Sequence, residues 1–342
     1  MPLSIKYRAL IGVVAGSVFL GGGAFERSYA GQPPTLDPFD PLITSATMGL
    51  SPASSVLLAV ARAGRGIVAV GEGGIIVRSS DNGRSWVQAN VPVSVTLTAV
   101  TFPTAQRGWA VGHSGVILAT SDGGATWRRQ AAGIEADSGD PFLDVYFSDQ
   151  SNGYAVGAFG LIVHTRDGGE TWVPWQSHVP NADSNHLYGI ASAGSTLYIV
   201  GERGAIYSSI DGGDSFVSAK SPYEGSFFGV SAIREGEVLV YGLRGHILRM
   251  HDSGKGWTEL KTGIDIAWTG STKLSDGRVL IGDQAGDLVL GDTDGKSFSP
   301  VRGKWPPMSG GVEVPKGDVV IVGPKGAAVI HLPISNAAVV QQ

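Results

Sequence analysis

From Val56 to Leu332 short apolar runs alternate with glycine-rich polar turns, and within each run apolar and polar residues tend to alternate. A period of two residues predicts half-buried β-strands. One unit reads as an inner strand Leu97–Phe102, a turn at Gln106-Arg107-Gly108, a strand Trp109–Gly112, a G-x-x-G turn and a strand Val116–Thr120. A polar box then leads into an outer strand that begins at Trp127. The unit recurs along the chain. The second glycine of its turn falls at 74, 115, 160, 204, 245, 286 and 326, and six copies place an aromatic residue twelve positions later. Spacings of 40 to 45 residues match one four-stranded blade. The pattern therefore predicts an all-β fold, a seven-bladed β-propeller of four-stranded antiparallel blades over residues 56–342.

The box is S/T-x-D-x-G-x-S/T-W. Its pairs are Asp81 and Trp86, Asp122 and Trp127, Asp167 and Trp172, Asp211 and Phe216, and Asp252 and Trp257. A carboxylate there can accept backbone N–H bonds from its own turn while glycine supplies a positive φ, so these residues read as structural. In the sixth copy Thr293 stands where the aspartate should fall, and Gly282 and Gly286 read as its turn glycines. The seventh copy has room for three strands, around Val312–Val314, Val319–Val322 and Ala327–Leu332. Residues Pro41–Met48, within the N-terminal segment 31–55, are expected to close the ring as its fourth strand. Strand addition by Ala337–Gln342 is the alternative.

Composition narrows the function. Of 342 residues 51 are glycine, which suits many tight turns, and none is cysteine, which excludes a disulfide framework and a thiol nucleophile. A net charge of −5 argues against a general nucleic-acid partner. At the N-terminus Lys6 and Arg8 precede an apolar run, Ala9 to Ala24, and then Ser28-Tyr29-Ala30. This reads as a signal peptide over residues 1–30, with retention as an anchor the other outcome, and predicts an exported protein of the periplasm or an equivalent lumen. No membrane span is expected in the mature chain.

The repeated V-G-x-x-G-x-I followed by the box resembles the photosystem II assembly and stability factor family of BNR propellers. Val200-Gly201-Glu202-Arg203-Gly204-Ala205-Ile206-Tyr207 and Tyr241-Gly242-Leu243-Arg244-Gly245-His246-Ile247 carry the likeness most clearly, including the arginine before the second glycine. The resemblance implies a non-catalytic accessory protein that docks on a membrane-protein complex. It leaves two partner classes, a photosystem-like complex and an RND-type exporter.

Asp-boxes also occur in sialidases, so a glycoside hydrolase or glycan-binding propeller is the competing reading. The Arg-Ile-Pro typical of sialidases is absent, and no tyrosine–glutamate pair stands out beside Arg203 and Arg244. Gly291–Ser297 falls one residue short of a phosphate-binding loop and coincides with the sixth box. The seven histidines show no metal-ligand spacing, and no cofactor, metal or catalytic residue is expected. Strand alternation puts the G-x-x-G turns and the connections between blades on one face and the boxes on the other. The turn face is the expected binding surface: Glu72, His113, Phe159, Glu202, Arg203, Leu243, Arg244, Asp283, Gln284 and Lys325, with Tyr223 and Trp305 as aromatic anchors. The longer loops Gly133–Asp140, Ser177–His186 and Lys220–Gly225 extend the same face.

Overall fold

The computed structural model describes residues 40–133, 139–251 and 256–332. Within them the chain forms seven antiparallel sheets, each ordered along the sequence from inner to outer strand. Six have four strands; the seventh has three. Blade 1 comprises Leu57–Ala63, Gly66–Gly71, Ile76–Ser79 and Val87–Gln88. The inner strands of blades 2 to 7 are Leu97–Thr101, Phe142–Phe147, Leu187–Ala193, Phe227–Arg234, Trp268–Lys273 and Gly310–Val314. Among the described residues helical structure is limited to single 3-10 turns. Among the described residues no helix is long and apolar enough to cross a membrane.

Apolar clusters fill the seams between consecutive blades. One joins Val68 and Ile76 of blade 1 to Ala110 and Leu118 of blade 2. Another joins Trp109 of blade 2 to Phe142 and Val163 of blade 3, where the Trp109 and Phe147 rings stack at 3.6 Å. Both faces of the second and third strands are buried, so these runs read as nearly continuous apolar sequence rather than strict alternation. Burial of one such large side chain contributes about 1.5–3 kcal/mol, which makes the seams the main source of stability.

The second glycine of the G-x-x-G turn has a steric cause in blades 1, 4 and 5. A Cβ on Gly74 would lie 2.2 Å from Val93 O, on Gly204 2.1 Å from Tyr223 O, and on Gly245 1.8 Å from Ile264 O. Each glycine also has a positive φ. The connection to the next blade lies directly on the turn, and only glycine admits it.

The ring closes differently from the sequence-based expectation. Pro41–Met48 is not the fourth strand of blade 7. Instead Ala46 N–H bonds Val91 O at 3.1 Å, Ser94 N–H bonds Pro41 O at 2.8 Å, and the Gln88 amide bridges Gly49 N–H and Thr47 O, all on blade 1 or its exit. Leu42 and Ala46 pack there because the seam of blades 1 and 2 offers apolar contacts. Only the end of the segment serves blade 7. A Cβ on Gly326 would lie 2.1 Å from Ala53 O, so Ala53 takes the place Val93 has beside Gly74. Closure itself is by packing: Ile67 of blade 1 meets Val314 and Val320 of blade 7, and the Arg62 guanidinium donates to Glu313 O. The alternative closing strand Ala337–Gln342 lies outside the described residues, as do residues 1–30.

Candidate functional site

The Asp-box face is built from turns that satisfy themselves. Asp122 Oδ1 accepts the N–H groups of Ala125 at 2.9 Å and Thr126 at 3.0 Å, and Thr126 Oγ1 donates to Oδ2 at 2.6 Å. Asp81, Asp167 and Asp211 repeat the arrangement with Ser85, Thr171 and Ser215. Trp127, Trp172 and Phe216 are buried, while Trp86 and Trp257 are half-buried. Asp252 lies outside the described residues. The sixth box corrects the sequence reading. Asp292, one residue before Thr293, takes the aspartate's part by accepting Lys296 N–H at 2.8 Å and Ser297 Oγ at 2.8 Å.

The opposite face carries the predicted binding residues. Glu72, His113, Phe159, Arg203, Leu243, Arg244, Gln284 and Lys325 are exposed on the turns of blades 1 to 7, and Glu202 is half-buried. Asp283 does not belong with them. It is fully buried and pairs with Trp268, where Gly71 pairs with Leu57 in blade 1. It therefore fills the slot of a first turn glycine, which the sequence reading gave to Gly282. Its Oδ1 accepts the N–H groups of Ala285, Gly286 and Asp287 at 2.8–2.9 Å, across a turn of the same length as in blade 1. Trp305 is also turned inward, half-buried against the seam of blades 6 and 7, with Nε1 donating to Val301 O at 2.9 Å.

Three turn residues share an unusual backbone. Phe159, Arg203 and Arg244 have φ of 52°, 56° and 56°, at the position where blade 1 has Gly73 and blade 2 has Ser114. A bulky side chain in the left-handed region costs roughly 1–2 kcal/mol. Nothing in the turn requires these side chains. All three project from consecutive blades, 3 to 5, and Phe159 is 63% exposed.

Around Phe159 the structure assembles residues that the sequence reading missed. Phe159 N–H donates to His186 Nδ1 at 2.9 Å, with the rings 4.7 Å apart. His186 N–H donates to Glu202 Oε2 at 3.3 Å, and its Nε2 faces the same oxygen at 3.9 Å. His186 is 6.0 Å from Tyr188, and Tyr188 is 5.3 Å from Phe228 of the next blade. Burial, with Glu202 nearby, pushes the Tyr188 phenol above its ordinary value, which keeps it protonated. In blade 5 Tyr223 stacks on His246 at 3.9 Å and donates to Leu243 O at 3.2 Å. Burial raises the Tyr223 phenol too, against the attraction of Arg244.

Tyr188 and Phe228 sit at a β-bulge. The pairing shifts by one residue between Leu187 and Gly189 and between Phe227 and Gly229, as it does at Leu58, Thr98, Leu143 and Thr269 in other blades. The extra residue has no cross-strand partner, so its side chain turns toward the next inner strand. Thr98 Oγ1, for example, donates to Phe142 O at 2.8 Å. The signal was an aromatic residue directly after the first buried residue of the inner strands of blades 4 and 5.

The blade geometry and the repeated turn agree with a family model, that of the photosynthesis system II assembly factor YCF48, which matches residues 78–142 and 132–281. The chain belongs to this family. Family membership carries an assembly-factor-like, protein-binding role. Among curated proteins no sequence matches the chain. In fold it is similar to YCF48 bound to D1 peptide, with a TM-score of 0.67 at 16% identity over 88% of this chain and 99% of that one. It is also similar to YCF48 from Cyanidioschyzon merolae, with a TM-score of 0.64 at 14% identity over 84% and 98% of the two chains. The WD40 β-propeller domain of Doa1 gives a TM-score of 0.66 at 11% identity over 84% and 95%. At these identities the likeness to solved structures concerns the fold.

Proposed function

We propose that the chain is a non-catalytic docking factor that binds a subunit of a membrane-protein complex through its turn face after export. The observation that carries this reading is the row Phe159, Arg203 and Arg244. Three bulky side chains hold a left-handed backbone that glycine would adopt without strain, on adjoining blades, beside half-buried aromatic rings. Aromatic and arginine side chains are the usual anchors of protein interfaces. A relative solved with a D1 peptide supports a peptide segment as the bound element. Retention of the family's assembly role supports a photosystem-like complex, and an exporter is the second partner class. The phenols of Tyr188 and Tyr223 are held in their neutral form, which favours contact over nucleophilic attack.

The test is affinity capture from detergent-solubilised membranes with the wild type and with a Phe159→Gly, Arg203→Gly, Arg244→Gly variant. The wild type should recover a membrane protein that the variant recovers at least about tenfold less, since loss of interface anchors costs more than about 1.4 kcal/mol. Equal recovery would remove the turn face from consideration, and recovery of no membrane protein by the wild type would end the docking reading. N-terminal sequencing of the mature protein checks export, with Gly31 expected as the first residue.

A further inference from the structure

On the Asp-box face, where the inner strands of blades 1, 6 and 7 end, a shallow hollow of about 700 Å³ is lined by Arg62, Lys273, Ser275, Glu313, Pro315 and Lys316 among others. Two of its three cations are held by backbone carbonyls rather than by carboxylates. Arg62 Nε donates to Glu313 O at 3.0 Å, and Lys273 Nζ donates to Ile233 O at 2.6 Å. The carboxylate of Glu313 is turned to Ser275 on the wall of the same hollow, accepting its N–H at 2.7 Å and its Oγ–H at 3.1 Å. The hollow thus gathers three positive charges against one carboxylate.

Lys316 adds an independent sign. It has a φ of 78° two residues before the second strand of blade 7, Asp318–Gly323. Two residues before the matching strands of blades 1, 4 and 6 stand Gly64, Gly194 and Gly277, all with positive φ. Lys316 holds this strained backbone in a three-residue turn, and its side chain is exposed at the rim of the hollow. Strain kept at one blade of seven, between the blades that hold Arg62 and Lys273, calls for a function.

We propose that this hollow binds a small polyanion through its oxyanion groups, with Arg62 offering the guanidinium N–H groups that Glu313 O leaves free and Lys273 and Lys316 acting as point charges. The site is distinct from the turn face and does not depend on the docking reading. Carboxylates and phosphates share the chemistry, and the experiment separates them.

Isothermal titration of the full mature chain at low salt with pyrophosphate, and separately with citrate, tests the site. Saturable binding of at least one is expected, and which one binds assigns phosphate or carboxylate chemistry. Affinity should fall as salt is raised. Lys316→Gly should weaken binding by about two- to fivefold, the share of an exposed ion pair, without lowering the thermal midpoint. Lys273→Met combined with Lys316→Gly should weaken it further. Binding of neither probe at millimolar concentration would overturn the site, and so would unchanged affinity in the double variant with its fold intact.

Discussion

A left-handed backbone marks function where a larger residue has displaced glycine, and marks architecture where glycine remains. Phe159→Gly, Arg203→Gly and Arg244→Gly each remove strain and add chain entropy to the unfolded state, so stability should change by less than about 1 kcal/mol in either direction. Gly204→Ala should be severely destabilising instead, because its Cβ would strike Tyr223 O at a φ of 73°. Urea denaturation of the four variants checks both expectations. Titration adds a second contrast. Bonds from the Ser85 and Thr171 hydroxyls and N–H groups hold Asp81 and Asp167 at about 2, below the unfolded 3.8. Their contribution is present above pH 4 and is lost as pH falls toward 2. Burial lowers His164 from 6.5 to about 4, so its neutral form favours folding and stability falls as pH drops through that window. Asp144 on the inner strand of blade 3 opposes this. Burial raises it from 3.8 to about 6 despite N–H bonds from Ile190 and Val145, so its contribution is lost as pH rises from 4 to 6. The two slopes offset each other in the wild type. In His164→Phe the Asp144 slope stands alone, and denaturation midpoints should rise as pH is lowered from 6 to 4.

Among the elements, the boxes show how one blade substitutes for another's missing group. Trp86 and Trp127 donate Nε1 to the carbonyls of Gly83 and Gly124 in their own boxes, at 3.1 and 3.0 Å. Blade 4 has Phe216, which has no such donor. Trp175, in the connection leaving blade 3, supplies it with Nε1 bonded to Gly213 O at 2.8 Å, and its ring stacks on His178 at 3.6 Å. Trp175→Phe should therefore leave the Gly213 carbonyl without its donor and cost about 1–3 kcal/mol, seen as a lowered thermal midpoint. Trp86→Phe, at a half-exposed box where water can replace the donor, should cost less. The box pattern was legible because its spacing is constant. Trp175 was not, because it lies outside the repeat and its role exists only across a seam.

For the whole molecule the seam between blades 7 and 1 decides whether the sheets form a ring. Ile67 and Val320 meet there almost fully buried, at 1% and 0% exposure. If that seam closes a cooperative ring, Ile67→Ala should cost about 2–5 kcal/mol, as Ile199→Ala should inside blade 4. Both variants should unfold in one transition with similar shifts, measured by calorimetry. A separate early transition in Ile67→Ala alone would mean an open array that frays at its ends.

The sequence by itself determined the blade count, the second glycine of each turn and the box aspartates Asp81, Asp122, Asp167 and Asp211. These follow from local sterics and a fixed period, which repeat within every 40 to 45 residues. Tertiary structure alone decided what crosses between blades. It sent Pro41–Met48 to blade 1, buried Asp283 in a glycine's place, gave the sixth box to Asp292, and brought His186, Tyr188 and Phe228 beside Phe159. Such contacts depend on which side chain meets which neighbour once the sheets pack around the axis, and one-residue shifts of register reassign them.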